Sequence, residues 1–582
     1  MIKLIKYLKP FWPTVVLVII LVLLQSLSQL YLPALMAEIV DKGIAEGNNA
    51  LIFRTGGIML AVALLSVACA FAASFFSARV SMGYGRVLRN KVFSHVQQFS
   101  LREYNQFGAA SLITRMTNDI TQVQMMVLMS MRLLVTAPLM MVGGIVMAVS
   151  RDPDLSRLIL VLMPVLALAV ALMAYLVMPL FKAIQAKLDK LNLVLRENLT
   201  GIRVIRAFNR DEYEQKRFDA ANLDLTKMSI LVNRLMAVAM PGMMLLMNLA
   251  SIAIIWFGGQ RVAGGGLQVG DLMAFLQYMM QIMFSLMMVS MMFVMLPRAF
   301  ASVNRINAVL DTMPEIADPE TDAEENPAVS DVTGKRGYLE FRNVTFSYPG
   351  AEVPVLRDIS FRACPGEVTA IIGGTGSGKS TLANLIPRFY DVDSGSILVD
   401  GVDVREMPQE DLRRKIGLIP QQALLFTGTI ASNIRVGKEN ATAAEVSKAA
   451  ETAQAMDFIT TLPEGFDAPV AQGGVNLSGG QKQRLAIARA LVRRPEIYIF
   501  DDSFSALDFR TDARLRHALK EETEDATMLI VAQRVTTVMD ADRIIVLEKG
   551  AVAGIGTHNE LMESCNVYRE IVLSQVSEEE IA

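Results

Sequence analysis

The sequence predicts two structural parts in one chain: a membrane α-helical domain of six spanning helices with long cytoplasmic extensions, then a cytosolic α/β domain with a phosphate-binding loop. Hydrophobic residues make up 52% of the chain and charged residues 19%, against about 45–50% and 25% in soluble domains. The apolar excess lies almost wholly within residues 1–300. From Tyr338 onward, short Val/Ile runs alternate with helical stretches, as in an α/β domain.

Six apolar runs are long enough to cross a bilayer, which takes about 20 mainly apolar residues. They are predicted at Phe11–Met36, Leu51–Ser77, Leu133–Val149, Leu158–Leu180, Ala237–Phe257 and Leu272–Leu296. The first run follows Lys3, Lys6 and Lys9 but is too long for the apolar region of a signal peptide, so it is predicted to be a span.

The segments between spans 2 and 3 and between spans 4 and 5 are long and rich in Arg and Lys. Positive charge favours the cytoplasmic side, which places both segments, the N-terminus and the C-terminal half in the cytoplasm of a multi-pass protein of the cell membrane. Both segments keep helical periodicity and contain no Pro, so we expect helices that leave the bilayer and turn back near Tyr104–Gly108 and Phe208–Glu212.

Composition divides the chain into four parts. A membrane domain covers residues 1–310, and an acidic, Pro-containing segment over 311–337 is predicted to be a linker. The α/β domain covers 338–575, and 576–582 form an acidic tail. The net charge of −3 gives no basic field for nucleic acid, so no nucleic-acid partner is expected. The three cysteines show no spacing typical of a metal site or a disulfide framework.

A glycine-rich motif lies between the predicted strand Val368–Ile372 and the predicted helix Thr381–Ile386. Glycines let backbone N–H groups turn inward around phosphates, and the helix N-terminus adds partial positive charge. Lys379 is predicted to reach the β- and γ-phosphates, and the Ser380 hydroxyl to ligate Mg²⁺. The predicted ATP-binding residues here are Gly373, Gly374, Thr375, Gly376, Ser377, Gly378, Lys379, Ser380 and Thr381.

The apolar strand Ile497–Asp501 ends in a carboxylate. Such a strand end is the usual source of the second Mg²⁺-binding group in proteins with this phosphate-binding loop. Asp501 is therefore predicted to bind Mg²⁺ together with Ser380.

The pentapeptide Leu477, Ser478, Gly479, Gly480 and Gln481 precedes a predicted helix over Lys482–Val492. With it, the C-terminal half resembles the nucleotide-binding domain of ABC transporters, whose signature motif it matches. The resemblance extends to Tyr348 as the adenine-stacking residue and to Gln421 as the Q-loop residue, expected to serve catalysis and Mg²⁺. It also covers the D-loop, made of Ser505, Ala506, Leu507 and Asp508. The N-terminal half is similar to the exporter type, in its six helices and in residues Gly201–Phe208.

The resemblance implies a dimer that uses ATP and Mg²⁺. In that family, each ATP lies between the phosphate-binding loop of one subunit and the signature motif of the other. Residues 477–481 would therefore act on the partner's ATP. The two cytoplasmic turns, near residues 105–112 and 207–214, would be coupling helices that rest on the nucleotide-binding domains.

Three positions depart from the family pattern. The family has a glutamate after the strand aspartate, where this chain has Asp502, and a histidine near the C-terminus, where it has Gln533. A third departure is Gln472, which stands where many exporters carry a charged residue. Asp502 and Gln533 remain the predicted catalytic residues with Gln421, but hydrolysis at this site is expected to be slow.

This combination is similar to one half of a heterodimeric exporter. We expect a second half-transporter that carries the usual glutamate and histidine; a slow homodimer is the alternative. The spans carry almost no internal charge, which favours hydrophobic or amphipathic multidrug-type or lipid-like cargo over ions. The methionines of the sixth span suit either a cavity wall or ordinary packing. A flippase, a siderophore carrier and a non-transporting ATP-gated regulator remain alternatives.

Overall fold

The computed structural model describes residues 2–319 and 336–575. The predicted tail 576–582 lies outside the described residues, as does most of the predicted linker 311–337. Side chains at 2, 174, 239–240 and 290–295 are not described either. The chain divides into two compact units: Met1–Gln97 with Ala109–Thr312, and Gln98–Gly108 with Met313–Ala582. The division differs from the predicted one because Gln98–Gly108 belongs to the C-terminal unit.

Ten α-helices precede the first strand in the described chain. They are α1 Ile2–Ile5, α2 Trp12–Glu38, α3 Asn49–Val96, α4 Leu101–Phe107, α5 Ala109–Thr114, α6 Ile120–Arg151, α7 Arg157–Thr200, α8 Ile202–Ala207, α9 Asp211–Ala263 and α10 Val269–Asp311. The described residues contain six helical segments long and apolar enough to cross a membrane. The predicted six-span membrane domain is confirmed.

The long helices extend well beyond the predicted spans. α9 has 53 residues. At about 1.5 Å per residue such a helix is roughly 80 Å long, more than twice a hydrocarbon core of about 30 Å. The predicted helical extensions are therefore present in α3, α7 and α9.

An ion pair stabilises the turn between α6 and α7 in the membrane unit. Asp152, only 3% exposed, accepts backbone N–H groups from Asp154 at 2.9 Å and Leu155 at 3.0 Å. Arg261 Nε donates to Asp152 Oδ2 at 2.7 Å, which ties the turn after α6 to the end of α9. Because a buried carboxylate is stable only when its oxygens are paired, this cluster fixes the connection.

The two cytoplasmic turns are short helices followed by breaks. α4 ends at Phe107 and is followed by Gly108, which has a φ of 73°; shortly after α8 comes Asn209, with a φ of 50°. Both values lie in the left-handed region, which Gly and Asn adopt most easily. The short helices thus begin earlier than the predicted coupling segments 105–112 and 207–214, and the breaks fall within those segments.

The C-terminal unit contains twelve strands in its described residues. They are β1 Leu339–Phe346, β2 Leu356–Ala363, β3 Val368–Gly373, β4 Ser394–Val399, β5 Val402–Asp403, β6 Ile416–Ile419, β7 Gly428–Thr429, β8 Pro469–Val470, β9 Ile497–Asp501, β10 Thr527–Val531, β11 Arg543–Glu548 and β12 Ala551–Gly556. A six-stranded sheet has the order β12-β11-β3-β10-β9-β6, and a four-stranded antiparallel sheet has the order β2-β1-β4-β5.

Ten α-helices accompany these strands. They are α11 Lys379–Leu385, α12 Gln409–Arg414, α13 Ile430–Arg435, α14 Ala443–Thr452, α15 Met456–Ile459, α16 Gly479–Leu491, α17 Phe509–Glu522, α18 Val535–Val538, α19 His558–Ser564 and α20 Asn566–Gln575. α11 and α16 begin earlier than predicted, because Lys379 and the signature glycines already adopt helical conformations.

Five strands of the larger sheet run parallel: β6, β9, β10, β3 and β11. The carboxyl ends of parallel strands meet at one edge, where open α/β sheets bind their ligands. β3 runs into the glycine-rich loop, β6 leads to Gln421, β9 ends at Asp501 and β10 leads to Gln533. The sheet thus gathers the predicted site residues at one edge.

Candidate nucleotide-binding site

The loop between β3 and α11 requires glycine at several positions. Gly376 and Gly378 have φ values of 79° and 99°, which side chains rarely tolerate. A Cβ added to Gly373 would lie 2.2 Å from the Leu547 carbonyl oxygen. These constraints explain Gly373, Gly376 and Gly378 of the predicted phosphate-binding motif. The exposed residues Gly374, Thr375 and Gly376 form the open side of the loop.

Lys379 is buried within this loop, with 8% of its surface exposed. Its Nζ donates to the carbonyl oxygens of Gly373 and Gly374, each at 2.8 Å. Burial lowers the pKa of Lys379, while the negative charges of Asp502 and Asp501 oppose that shift. The buried Ser377 hydroxyl has no hydrogen-bond partner within the described residues. A cationic amine and a free hydroxyl at a helix N-terminus fit a phosphate group.

Ser380 and Asp501 form the expected Mg²⁺ pair. Ser380 Oγ donates to Asp501 Oδ1 at 2.9 Å. Burial raises the pKa of Asp501; the Ser380 hydrogen bond lowers it, and the charge of Asp502 raises it further. Mg²⁺ prefers such oxygen ligands, and a cation would offset the cost of burying this carboxylate. The residues present therefore fit the predicted ion.

Asp502, Gln421 and Gln533 form one hydrogen-bonded cluster. Asp502 Oδ2 accepts Gln421 Nε2 and Gln533 Nε2, each at 3.0 Å. Burial raises the pKa of Asp502, while the Gln421 hydrogen bond and the positive charges of Lys379 and Arg534 lower it. Asp502 has a φ of 48°, a left-handed conformation that Asp adopts more readily than most residues. The structure thus brings the three predicted catalytic residues together.

Tyr348 belongs to an aromatic cluster beside the loop. Its hydroxyl lies 3.1 Å from Thr381 Oγ1, within hydrogen-bonding distance. Its ring contacts Phe346 and Tyr390 edge to face, with centroids 5.1 Å and 5.4 Å apart. Sequence analysis did not single out Tyr390. The sequence signal that could have indicated Tyr390 was an aromatic residue shortly after the end of α11.

The signature and D-loop residues form a second group. Ser478 caps α16: its Oγ accepts the Gln481 N–H at 3.3 Å, and Gln481 Oε1 accepts the Ser478 N–H at 2.9 Å. Leu477 packs on the core, and Ser478 and Gly479 are exposed. A Cβ on Gly480 would lie 3.2 Å from the Ala506 carbonyl oxygen, so the two motifs pack closely.

The remaining D-loop residues complete this group. Leu507 is buried, and the Ser505 hydroxyl donates to the Asp502 carbonyl oxygen at 2.9 Å. Asp508 Oδ1 accepts the Thr511 N–H at 2.9 Å, which caps α17. Gln472 is exposed at the start of a short 3₁₀ helix, Gln472–Gly474. The D-loop therefore contacts both neighbours: its Ala506 carbonyl packs against Gly480 of the signature, and its Ser505 hydroxyl binds the Asp502 carbonyl oxygen.

The methionines of α10 are divided between the core and the surface. Met279 and Met283 are buried, whereas Met280 and Met288 are 47% and 40% exposed. Met291, Met292 and Met295 lie outside the described side chains. A small hollow of about 30 Å³ between α6 and α10 is lined by other methionines, Met125, Met126 and Met129. These four α10 methionines are thus in core packing or on the surface.

Comparisons with known proteins agree with both units. Residues 15–286 match the family model described as the ABC transporter transmembrane region, and residues 356–505 match the model described as ABC transporter. An uncharacterised ABC transporter ATP-binding protein of Mycobacterium tuberculosis is 45% identical, over 98% of this chain and 97% of that protein.

Two further similarities extend this finding. A fatty acid ABC transporter ATP-binding/permease protein of Mycobacterium bovis is 35% identical, over 83% of this chain and 75% of that protein. The solved structure of a bacterial Atm1-family ABC exporter with ATP bound has a TM-score of 0.80 and 26% identity, covering 97% of this chain and 98% of that one.

Proposed function

Because this chain belongs to the ABC transporter family and has an exporter fold, we propose that it is one subunit of a heterodimeric exporter and carries the slow ATP site of the pair. The observation that carries the proposal is the pair Asp502 and Gln533, which replaces the usual glutamate and histidine. The phosphate-binding loop and the signature are complete, so within the nucleotide site the departures are confined to the two groups that serve hydrolysis.

The geometry of Asp502 supports slow hydrolysis. An aspartate carboxylate sits roughly 1.5 Å, one C–C bond, behind that of a glutamate. Misplacement on this scale can reduce a rate by about 100-fold. Asp502 Oδ2 also accepts two amide hydrogen bonds, which occupy that oxygen and leave Oδ1 to act on water. Gln533 cannot carry positive charge or move a proton as histidine does.

The remaining groups suit tight binding of MgATP. Lys379 and the loop amides would hold the phosphates, Thr381 continues this surface, and Tyr348 would stack on adenine. Ser380, Asp501 and Gln421 would hold Mg²⁺, which neutralises phosphate charge when bound. The site therefore combines a complete binding surface with weak activation of water.

The second subunit would complete two sites. Ser478 and Gly479 are exposed, so Leu477–Gln481 is available to the ATP of a partner half-transporter with the usual glutamate and histidine. Around the second cytoplasmic turn, Val204 is 60%, Phe208 74% and Tyr213 59% exposed. Large exposed apolar groups outside the bilayer indicate a protein interface. We propose that this turn is a coupling element that docks on the partner.

Turnover of the purified wild-type chain tests the slow site. In lipid nanodiscs, we expect MgATP to bind but turnover to stay about 100-fold below one per second, the lower range of ordinary enzymes. Nucleotide binding and phosphate release would be measured on the same sample. Turnover near one per second would show that Asp502 and Gln533 suffice for hydrolysis, and a homodimeric exporter would replace the heterodimer.

For the cargo, we propose hydrophobic or amphipathic compounds with acyl chains. The support is the name of the fatty acid relative and the apolar character of the spans. A flippase that moves lipid between leaflets, a siderophore carrier on this fold and a non-transporting ATP-gated regulator are the competing functions.

Vesicle transport tests the cargo. The chain co-purified with its partner would be reconstituted into vesicles and supplied with a fluorescent fatty acid, with MgATP outside. We expect accumulation inside vesicles whose nucleotide-binding domains face outward. Movement between leaflets without release would indicate a flippase. Uptake only by vesicles of the opposite orientation, loaded with MgATP inside, would indicate an importer. ATP binding without any transport would favour the regulator.

A further inference from the structure

The last turn of α20 is hydrogen-bonded to the segment that carries Gln533. Gln575 Nε2 donates to the Gln533 carbonyl oxygen at 2.9 Å, and Gln575 Oε1 accepts the Val535 N–H at 2.9 Å. One side-chain amide thus pairs with an acceptor and a donor of the same backbone segment. Two hydrogen bonds at these distances fix the position of the backbone segment better than one bond would.

The held segment has no regular structure of its own. It connects the end of β10 at Val531 with α18, which begins at Val535. From this segment, the side chain of Gln533 reaches Asp502 Oδ2 at 3.0 Å. The backbone at 533 therefore decides where the Gln533 amide lies, and Gln575 holds that backbone.

α20 is firmly attached to the C-terminal unit. Tyr568 and Val572 are 0% and 1% exposed, and the Tyr568 hydroxyl lies 2.8 Å from His558 Nδ1. The same helix borders the phosphate-binding loop, since a cavity of about 370 Å³ has walls from both. Its lining includes Gly374, Thr375, Gly376 and Ser377 of the loop and Val567, Glu570, Ile571 and Ser574 of α20.

We propose that Gln575 is a positioning residue of the ATP site. It holds residues 533–535 so that the Gln533 amide points at Asp502 and at the position of the γ-phosphate. The inference rests on the proposed function, in which residue 533 occupies the γ-phosphate-sensing position. Because ADP lacks the γ-phosphate, Gln575 acts on ATP binding and not on ADP binding.

Nucleotide affinities of Gln575 variants test this role. In nanodiscs, Gln575→Ala is expected to weaken MgATP binding about fivefold, the change produced by the loss of one net hydrogen bond. MgADP binding should stay within about twofold of wild type. Gln575→Glu should weaken MgATP binding at least as much, since it accepts the Val535 N–H but sets a charged oxygen against the Gln533 carbonyl oxygen. The matched control is Leu573→Ala, because Leu573 lies on the same turn and is 50% exposed.

A double-mutant cycle separates positioning from general support of the fold. In a Gln533→Ala background, Gln575→Ala should change MgATP affinity no further, because interacting positions are not additive. Equal weakening of MgATP and MgADP, or an undiminished effect in the Gln533→Ala background, would overturn the positioning role. Turnover of the wild-type chain near one per second would refute the proposed slow site. It would not affect the test of Gln575, which compares MgATP with MgADP affinity.

Discussion

Replacing Asp502 with glutamate and Gln533 with histidine together is expected to raise ATP turnover of the purified chain by about 100-fold or more. Glutamate would move the carboxylate forward by one methylene and away from the amides of Gln421 and Gln533 that bind it now. Histidine would add a group that can carry charge at the γ-phosphate. Because the chain's own signature is complete, a dimer of the double variant would contain two complete sites.

The single variants show which group limits hydrolysis. If water activation is limiting, Asp502→Glu should give most of the gain and Gln533→His little by itself. The matched control is Asp540→Glu, which makes the same chemical change at a side chain that is 93% exposed. If the double variant turned over no faster than wild type while binding MgATP normally, the slow step would lie outside this cluster.

Removal of the Lys379 amine is expected to weaken MgATP binding by about 100-fold or more, because breaking a buried charge pair costs about 3–5 kcal/mol. In the free chain, Lys379 Nζ is bound to the carbonyl oxygens of Gly373 and Gly374. Lys379→Ala leaves those oxygens without a donor and leaves the phosphates without a cation. Binding of a fluorescent ATP analogue, measured by titration, gives the affinity.

Lys482 provides the matched control for this substitution. Its Nζ also donates to a glycine carbonyl oxygen, that of Gly473, at 3.0 Å. It lies beside the signature and not in the phosphate-binding loop, so Lys482→Ala should leave the chain's own MgATP affinity within about twofold. An equal loss in both variants would mean that Lys379 acts through loop stability and not through the phosphates.

The local parts of the site could be predicted because each depends on neighbouring residues. A glycine-rich loop between a strand and a helix can adopt few backbone conformations, and an apolar strand ending in Asp501 places its carboxylate at the sheet edge. The parallel order of β3, β6, β9 and β10 then brings distant motifs together. Sequence reasoning therefore found Lys379, Ser380, Asp501, Asp502, Gln421 and Gln533.

Contacts that depend on packing between distant elements could not be predicted. Gln575 lies far along the chain from Gln533, and its role depends on how α20 packs through the buried Tyr568 and Val572. No motif marks it. The ends of the long helices were also beyond sequence reasoning, because the cytoplasmic extensions keep the periodicity of the spans and contain no Pro before their turns. The predicted coupling segments therefore lie a few residues later in the sequence than the short helices α4 and α8.

The membership of Gln98–Gly108 in the C-terminal unit has a consequence for expressing that unit in isolation. In the intact chain, Arg102 pairs with Glu315, and Asn105 Nδ2 donates to the Tyr390 hydroxyl at 3.5 Å. A fragment cut at residue 338 would lack α4 and Glu315, leaving the Tyr390 side of the fragment uncovered beside Tyr348. Such a fragment would lose both contacts, whereas a chimera that begins before Glu315 and carries Gln98–Gly108 on a flexible tether would keep them.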